Sequence, residues 1–249
     1  MKISVITITF NSEKTIKDTV LSLENQTYKN IEYIVIDGNS TDTTLEIIKN
    51  SCTRVTKLVS EKDDGIYHAL NKGIQIATGD YVGFLHSDDI FASCHSVANI
   101  VNTLNQNDAD AVYGDLQYIS SLDSEKVVRT WRSGAFNKSL LARGWMPPHP
   151  TFYMKRSLYQ KYGGFDLSFR IAGDYDSLLR YLYTHNVSVD YCPEVLVKMK
   201  VGGVSNRNFL SMLTKSKEDI RAMRNAGISV PFSLFMKNVS KIPQFFIKK

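Results

Sequence analysis

Apolar and polar residues follow one another in blocks that predict strands and helices in turn. Residues 3–10, ISVITITF, are β-branched and apolar at successive positions, as in parallel strands that are buried on both faces. The next block, 11–26, places Ile16, Val20 and Leu23 on one face of a helix. The chain therefore opens with a predicted βα unit.

The alternation continues as far as residue 119. The later blocks read as strands and helices in this order: IEYIVID, DTTLEIIKN, VTKLVS, IYHALNKGIQIA, YVGFL, SVANIVNTLNQN and ADAVYGDLQYI. This order predicts an α/β fold with a mostly parallel central sheet flanked by crossover helices. In residues 120–150 the turn signals DSEK, RSG and MPPHP predict shorter, mixed elements.

The composition is that of a folded, water-soluble protein. The chain has 249 residues, 43% of them hydrophobic and 22% charged, which is ordinary for a globular domain. The three cysteines lie far apart and suggest neither a disulfide framework nor a zinc site. The N-terminus resembles a strand more than a signal peptide, and no apolar run approaches the roughly 20 residues that cross a bilayer. We expect a cytoplasmic protein.

The basic charge is concentrated near the C-terminus. Residues 1–206 carry 21 basic and 23 acidic side chains (net −2), whereas residues 207–249 carry nine and two (net +7). This split predicts a domain over 1–206 and a basic, partly amphipathic helical tail over 207–249. The domain shows no basic stripe or motif typical of nucleic-acid binding, so no nucleic-acid partner is expected.

The end of the tail has a pattern of its own. Five apolar residues stand near helical spacing among lysines: Phe232, Phe235, Val239, Ile242 and Phe246. Such a segment fits peripheral attachment to an anionic membrane surface, on the inner face of the membrane. The same apolar face would also fit packing against the domain.

Carboxylates follow two of the predicted strands. Asp37 ends the second strand, and Asp88 and Asp89 follow the strand YVGFL. Ligands of open α/β sheets bind beyond the carboxyl ends of the strands, so the three side chains should gather on one rim. Oxygen ligands with a substrate diphosphate suit Mg²⁺ or Mn²⁺. The simpler alternative is that Asp88 caps a helix and Asp89 is solvated.

Longer motifs give the pattern a context. The motifs are FN after the first strand, IDGNSTDTT, SEKDDGIYHALNKGIQIATGDYVGFLHSDD and GGFDLSFRIAGDYDSLLR. Together, from about Ile3 to about Ser205, they resemble the family 2 glycosyltransferases of the GT-A fold, of the type that builds bacterial cell-surface polysaccharides. The resemblance implies an inverting enzyme that moves a sugar from a nucleotide-diphosphate donor, most simply UDP-linked. The acceptor would be a hydroxyl of a saccharide or of a polyprenyl-diphosphate-linked saccharide.

The resemblance also implies roles for single residues. By position they are Asp37 on the nucleotide base, Asp88 on the ribose, Asp89 on the metal, Thr9 and Asp63 lining the nucleotide pocket, and Asn71 facing the donor. Two departures concern the surroundings of the donor: Ile8 stands where many members have proline, and His68 where close relatives usually have aspartate.

Asp174 matches the position of the general base in that family. The preceding glutamate of many members is Gly173 here. From the sequence alone, Asp174 also fits a plain acidic residue at a helix N-terminus, favoured by the helix dipole. Asp176 is a possible second acid, and Arg180 stands four residues further on, where it can pair with Asp176.

Three further residues are candidate contacts to the acceptor or the diphosphate. His149 stands in the proline-rich loop MPPHP, and Lys198 and Lys200 precede a pair of glycines. A buried structural histidine and solvated surface lysines are the alternatives.

Two rival functions of other classes fit the same fold. A non-catalytic saccharide-binding protein would be free to lose Asp37, Asp88, Asp89 and Asp174, which are all present. A nucleotidyltransferase should carry a glycine-rich basic loop after the first strand, and TFNSEKT is not such a loop. Neither a G-x-G-x-x-G motif after the first strand nor a P-loop motif occurs.

Overall fold

The computed structural model describes residues 1–121, 123, 125–201 and 209–230. In this part of the chain the strands are β1 Ile3–Thr9, β2 Ile31–Asp37, β3 Val55–Ser60, β4 Tyr81–Phe84, β5 Asp89–Phe91, β6 Ala111–Ile119, β7 Val127–Trp131, β8 Tyr153–Lys155 and β9 Val189–Lys200. The α-helices are α1 Ile16–Glu24, α2 Thr44–Ser51, α3 Ile66–Ile76, α4 Ser96–Asn107, α5 Lys138–Ala142, α6 Arg156–Tyr162, α7 Gly173–Leu178 and α8 Phe209–Asn225. A 3₁₀ turn covers His149–Thr151, and a π-helical turn, Leu179–Thr184, continues α7.

The N-terminal half of the sheet is parallel, as the alternating blocks predict. Its strand order is β3-β2-β1-β4, and every neighbouring pair in it is parallel. The register sets Thr9 level with Asp37, and Asp37 level with Ser60. The carboxyl ends of three strands therefore meet at one edge.

The C-terminal half of the sheet is mixed. The order continues as β4-β8-β6-β9-β5, where β6 and β9 are parallel and the other pairs antiparallel, and β7 forms a hairpin with β6. The expectation of a mostly parallel sheet thus holds for the first half only. Residues 120–150 do form short elements, β7 and α5, as predicted.

Two apolar clusters cover the two faces of the sheet. One holds residues of α1, α2 and α4, and the other holds residues of α3, α6, α7 and α8. Side chains alternate between the clusters along β1, where Val5 belongs to the first and Ile6 to the second.

The helix α8 lies in the segment predicted as a helical tail, 207–249. Ala222 and Met223 of α8, and Ile228 just after it, are buried in the same cluster as α7. The described part of that segment therefore packs on the domain as well as being helical. The membrane prediction concerns residues 231–249, which lie outside the described residues. Within the described residues, no helix is both long and apolar enough to cross a membrane.

Candidate active site

The carboxylate of Asp37 lies at the edge where β1, β2 and β3 end. It is fully buried and accepts hydrogen bonds from the Ser40 amide at 3.0 Å, the Ser60 hydroxyl at 2.6 Å and the Ser40 hydroxyl. Beside it, the buried hydroxyl of Thr9 has no hydrogen-bond partner in the described ranges of the chain. Asp37 is thus held rigidly, whereas Thr9 is not.

Asp63 lies next to this edge and carries an ion pair. A side chain at Gly38 would come within 3.4 Å of both the Asp63 carboxylate and the Phe10 ring, so Gly38 leaves these groups close together. Lys72 of α3 pairs with Asp63 at 2.6 Å and with Glu61 at 2.8 Å. The Phe10 ring is 62% exposed. An apolar ring and a charged carboxylate thus lie together beside Gly38.

His68, the departure from the family pattern, is beside Asp63. Its Nδ1 accepts a hydrogen bond from the Asp64 amide at 3.1 Å and lies 3.8 Å from the Asp63 carboxylate. The ring therefore borders the acidic group at this edge.

The carboxylate of Asp89 is buried. Asp89 begins β5, which β9 holds in place through the pairing of Asp89 with Met199, and the residue is 1% exposed. Within the described part of the chain, neither carboxylate oxygen has a hydrogen-bond partner. Burial, and then the charge of Asp88, raise its pKa well above the usual value. A buried polar group without a partner calls for an explanation, and a bound cation would supply one.

The residues near Asp89 fit a divalent cation that is completed by its substrate. Across the described parts of the chain, no group of three or more His, Cys, Asp or Glu side chains could hold a metal by itself. Mg²⁺ and Mn²⁺ sites often use only one or two carboxylates, with water and phosphate oxygens as the other ligands. Asp89, with Asp88 beside it, matches that kind of site.

Tyr118 lies on the same face of the sheet as Asp89. The sheet register sets Tyr118, Met199 and Asp89 in one row across β6, β9 and β5, so their side chains share a face. Burial raises the pKa of Tyr118, and the charges of Asp89 and Asp174 raise it further. The Arg129 guanidinium lies 4.3 Å from the Tyr118 ring centre and opposes this rise. The charges of both carboxylates therefore act on Tyr118.

Asp174 lies in the first turn of α7. Its Oδ1 accepts a hydrogen bond from the Tyr175 amide at 2.8 Å. The imidazole of His86 is half-buried, and desolvation lowers its pKa, while the charges of Asp88 and Asp174 act in the opposite direction. The charges of the SDD motif and of α7 therefore both act on His86.

His149 lies in the floor of this site. It is 6% exposed and stacks on Phe84 at 5.3 Å and on His86 at 5.9 Å between ring centres. Burial, and then His86, lower its pKa to about 3. The ring is neutral at physiological pH, so it can offer a hydrogen bond but not a charge.

The comparisons with known proteins agree with this arrangement. The profile of the family described as Glycosyl transferase family 2 matches residues 4–172. The chain belongs to that family. An uncharacterized glycosyltransferase of Mycobacterium tuberculosis is 36% identical over 183 residues, which are 72% of this chain and 68% of the relative. A PGL/p-HBAD biosynthesis glycosyltransferase of Mycobacterium bovis is 27% identical over 222 residues, 86% and 84% of the two chains.

Solved structures show the same fold. S. aureus TarS 1-349 in complex with UDP-GlcNAc superposes with a TM-score of 0.72 and 17% identity, over 100% of this chain and 74% of that one. The mannosyltransferase PcManGT from Pyrobaculum calidifontis, in complex with GDP-Man and Mn²⁺, gives a TM-score of 0.65 and 19% identity over 96% and 69%. The family 2 glycosyltransferase described above therefore has the GT-A fold, as its motifs predict.

Two predicted site residues of this glycosyltransferase have other partners. Both ends of the Asn71 amide bond the backbone of Phe165, at 2.8 Å each, so Asn71 ties α3 to the loop before α7. Lys200 pairs with Asp18 of α1 at 2.8 Å. Lys198 is half-buried in β9 opposite Ile90. The roles of Asn71 at the donor, and of Lys198 and Lys200 at the acceptor or the diphosphate, stay predictions.

Asp176 points away from Asp174. It is buried, and its carboxylate lies 3.9 Å from the Arg180 guanidinium, the predicted pairing four residues apart. Burial raises its pKa, whereas Arg180 and a hydrogen bond with Asn225 lower it. Its environment is that of a structural acid between α7 and α8.

Other residues of the site were not predicted from the sequence. They are Phe10, His86, Tyr118 and Arg129, together with Tyr67 and Glu218, whose side chains bind the backbone just before Asp174. His86 stands beside the SDD motif and Tyr67 within the GIYHALNKG motif, so both had a local signal. Tyr118 and Glu218 had none, because only strand pairing and helix packing bring them to their places.

Proposed function

We propose that this glycosyltransferase moves a sugar from a nucleotide-diphosphate donor, most simply UDP-linked, to a hydroxyl of a saccharide acceptor, with inversion. The observation that carries the proposal is the carboxylate of Asp89, which is buried and has no hydrogen-bond partner among the residues that the structure describes. The relatives add support, since one solved structure holds UDP-GlcNAc and another GDP-Man with Mn²⁺. Glycan biosynthesis fits the name of the M. bovis relative.

The nucleotide would occupy the edge where the parallel strands end. In this proposal Asp37 contacts the base, Thr9 and Asp63 line its pocket, and Asp88 contacts the ribose. The exposed ring of Phe10, beside Asp63, supplies an apolar surface for the base.

A divalent ion, Mg²⁺ or Mn²⁺, held by Asp89, would stabilise the charge that develops on the leaving diphosphate. His149 and His86 border this position as neutral rings. They exclude water and can direct hydrogen bonds to the sugar or the diphosphate.

Asp174 would act as the general base. The acceptor oxygen forms a bond to the anomeric carbon while the bond from that carbon to the diphosphate oxygen breaks. The hydroxyl proton passes to the Asp174 carboxylate. Since attack comes from the face opposite the leaving group, the anomeric configuration inverts. The acceptor is proposed to be a saccharide or a polyprenyl-diphosphate-linked saccharide.

The test supplies a panel of UDP-sugars, with and without a lipid-linked oligosaccharide. The release of UDP and the formation of the glycoside are measured. Asp174→Asn should lower transfer by roughly 10²- to 10⁴-fold, because the amide cannot accept the proton, and should leave UDP affinity nearly unchanged. Asp176→Asn is the control, assayed on the folded fraction. If Asp176→Asn abolishes transfer and Asp174→Asn remains active, the base is assigned to the wrong residue.

A further inference from the structure

The backbone just before Asp174 is the feature from which we reason. The first amides of any helix have no partner within the helix and need one from elsewhere. The helix α7 is short, and residues 170–172 lead into it as an irregular segment. The position of Asp174 therefore depends on what binds those amides.

The carboxylate of Glu218, on α8, binds three amides in succession. Its Oε1 accepts from Arg170 at 2.9 Å, and its Oε2 accepts from Ile171 and from Ala172, also at 2.9 Å. Hydrogen bonds to a charged acceptor are stronger than neutral ones. Both oxygens are in use, so one side chain fixes the whole approach to α7.

The hydroxyl of Tyr67, on α3, binds the next amide. It accepts from Gly173 at 2.8 Å and donates to the Ile171 carbonyl at 2.7 Å. The amide of Tyr175 is bound by Asp174 itself. The amides of residues 170 to 173 thus have side-chain partners from two other helices, and none of these partners is close in sequence.

We propose that Glu218 is a positioning residue for the transfer reaction, a proposal that rests on the assignment of Asp174 as the base. Glu218 does not need to touch the substrate. It holds the segment that ends two residues before Asp174, and so sets where the base carboxylate stands. A displacement of about 1 Å between reacting groups can cost ~10²-fold in rate.

The apolar packing of α8 does not involve the contact between the Glu218 carboxylate and the amides of residues 170–172. Ala222 and Met223 are buried in the core cluster one turn further along α8. A change confined to the carboxylate of Glu218 therefore leaves the apolar docking of the helix in place. The effect of the change should show in turnover more than in folding.

The variant Glu218→Gln tests the proposal because it keeps the size of the side chain. An amide has one acceptor oxygen, so its NH₂ group must face at least one of the three backbone N–H donors. We expect kcat to fall by about 10-fold to 10²-fold, with the KM for the UDP-sugar within about twofold. Lys217→Gln, a neighbouring exposed position on α8, is the matched control and should behave as the parent.

Two further variants separate this inference from the proposed function. In the Asp174→Asn background, Glu218→Gln should cause no further loss, because the group that it positions is already inactive. An inactive Asp174→Asn with a fully active Glu218→Gln would overturn the inference alone, whereas an active Asp174→Asn would overturn the base. If Glu218→Gln does not fold, Glu218→Asp keeps the charge on a shorter arm. It should then show a reduced kcat, and a parental kcat would refute the role.

Discussion

The buried carboxylate of Asp89 leads to a prediction about stability as well as activity. Its folded-state pKa is raised well above the usual value, so the folded protein retains a proton that the unfolded chain has lost. The corresponding stability is present below a pH of about 3.9 and is lost as the pH rises towards the folded pKa. The metal-free parent should therefore become less stable between pH 5 and pH 7.

The variant Asp89→Asn removes this titration while keeping the shape of the side chain. Each unit of pH lowers the free energy of unfolding of the parent by at most about 1.36 kcal/mol. From pH 5 to pH 7 the free energy of unfolding of the variant should therefore rise relative to that of the parent by up to ~2.7 kcal/mol. For a chain of this size that corresponds to roughly 5 to 10 °C in Tm. The variant should thus be the more stable protein in EDTA and an inactive enzyme.

The assay is thermal unfolding at both pH values, in EDTA and again with Mn²⁺ and UDP. Ligands that bind only the folded protein raise its stability by about 2.7 kcal/mol at a hundred times their dissociation constant, and this rise should occur in the parent alone. Asp115→Asn is a control for a buried carboxylate with partners, since the Ser133 amide and the Tyr191 hydroxyl each bond Asp115 at 2.8 Å. It should change stability little, because both donors bond the same carboxylate oxygen and the Asn side chain keeps an oxygen that can accept both bonds. Equal pH dependence of parent and Asp89→Asn, with equal stabilisation by Mn²⁺ and UDP, would refute the reasoning.

Two other changes probe the surroundings of the base. Gly173→Ala should destabilise the protein by about 1–3 kcal/mol, because the new Cβ would lie 2.7 Å from the Tyr67 ring. In a Tyr67→Ala background the same change should cost little. A double-mutant cycle, measured by denaturant unfolding, tests this. His149→Phe keeps the stacking on Phe84 but cannot titrate. The pKa of His149 is lowered to about 3, so the neutral ring stabilises the folded protein above pH ~6.5, and this stabilisation is lost as the pH falls. The free energy of unfolding should fall by about 2 kcal/mol between pH 7.5 and pH 5. The variant should therefore tolerate acid better in the same unfolding assay, and an unchanged acid sensitivity would contradict the assignment.

The parallel half of the fold could be predicted from local pattern. Strands such as β1 and β2 are apolar on both faces, and their carboxyl ends bring Asp37 beside Thr9 as parallel pairing requires. The order of strands in the other half depends on pairings between distant, short segments. No local pattern specifies that β8 lies between β4 and β6, or that β5 pairs with β9.

The residues of the site divide in the same way. Asp88 and Asp89 were found because they directly follow a strand. The contact of the Asn71 amide with Phe165, 94 residues away, could not be predicted, because the sequence does not show it. Glu218 was missed for the same reason, since α8 approaches the segment before α7 only in the folded chain.

The contrast among the polar side chains is the strongest argument for where this enzyme binds its substrate. Asp37 accepts three hydrogen bonds, Glu218 accepts three, and both ends of Asn71 are bonded. These side chains are satisfied by the protein and serve to hold its parts in position. Asp89 is as deeply buried as Asp37, yet neither of its oxygens has a hydrogen-bond partner among the residues described by the structure. A buried carboxylate without a hydrogen-bond partner lowers the stability of the free protein. Proteins keep such groups mainly at functional sites, where a bound ligand supplies the missing partner. The cation and the donor diphosphate are therefore expected at Asp89, with the base held in place around it.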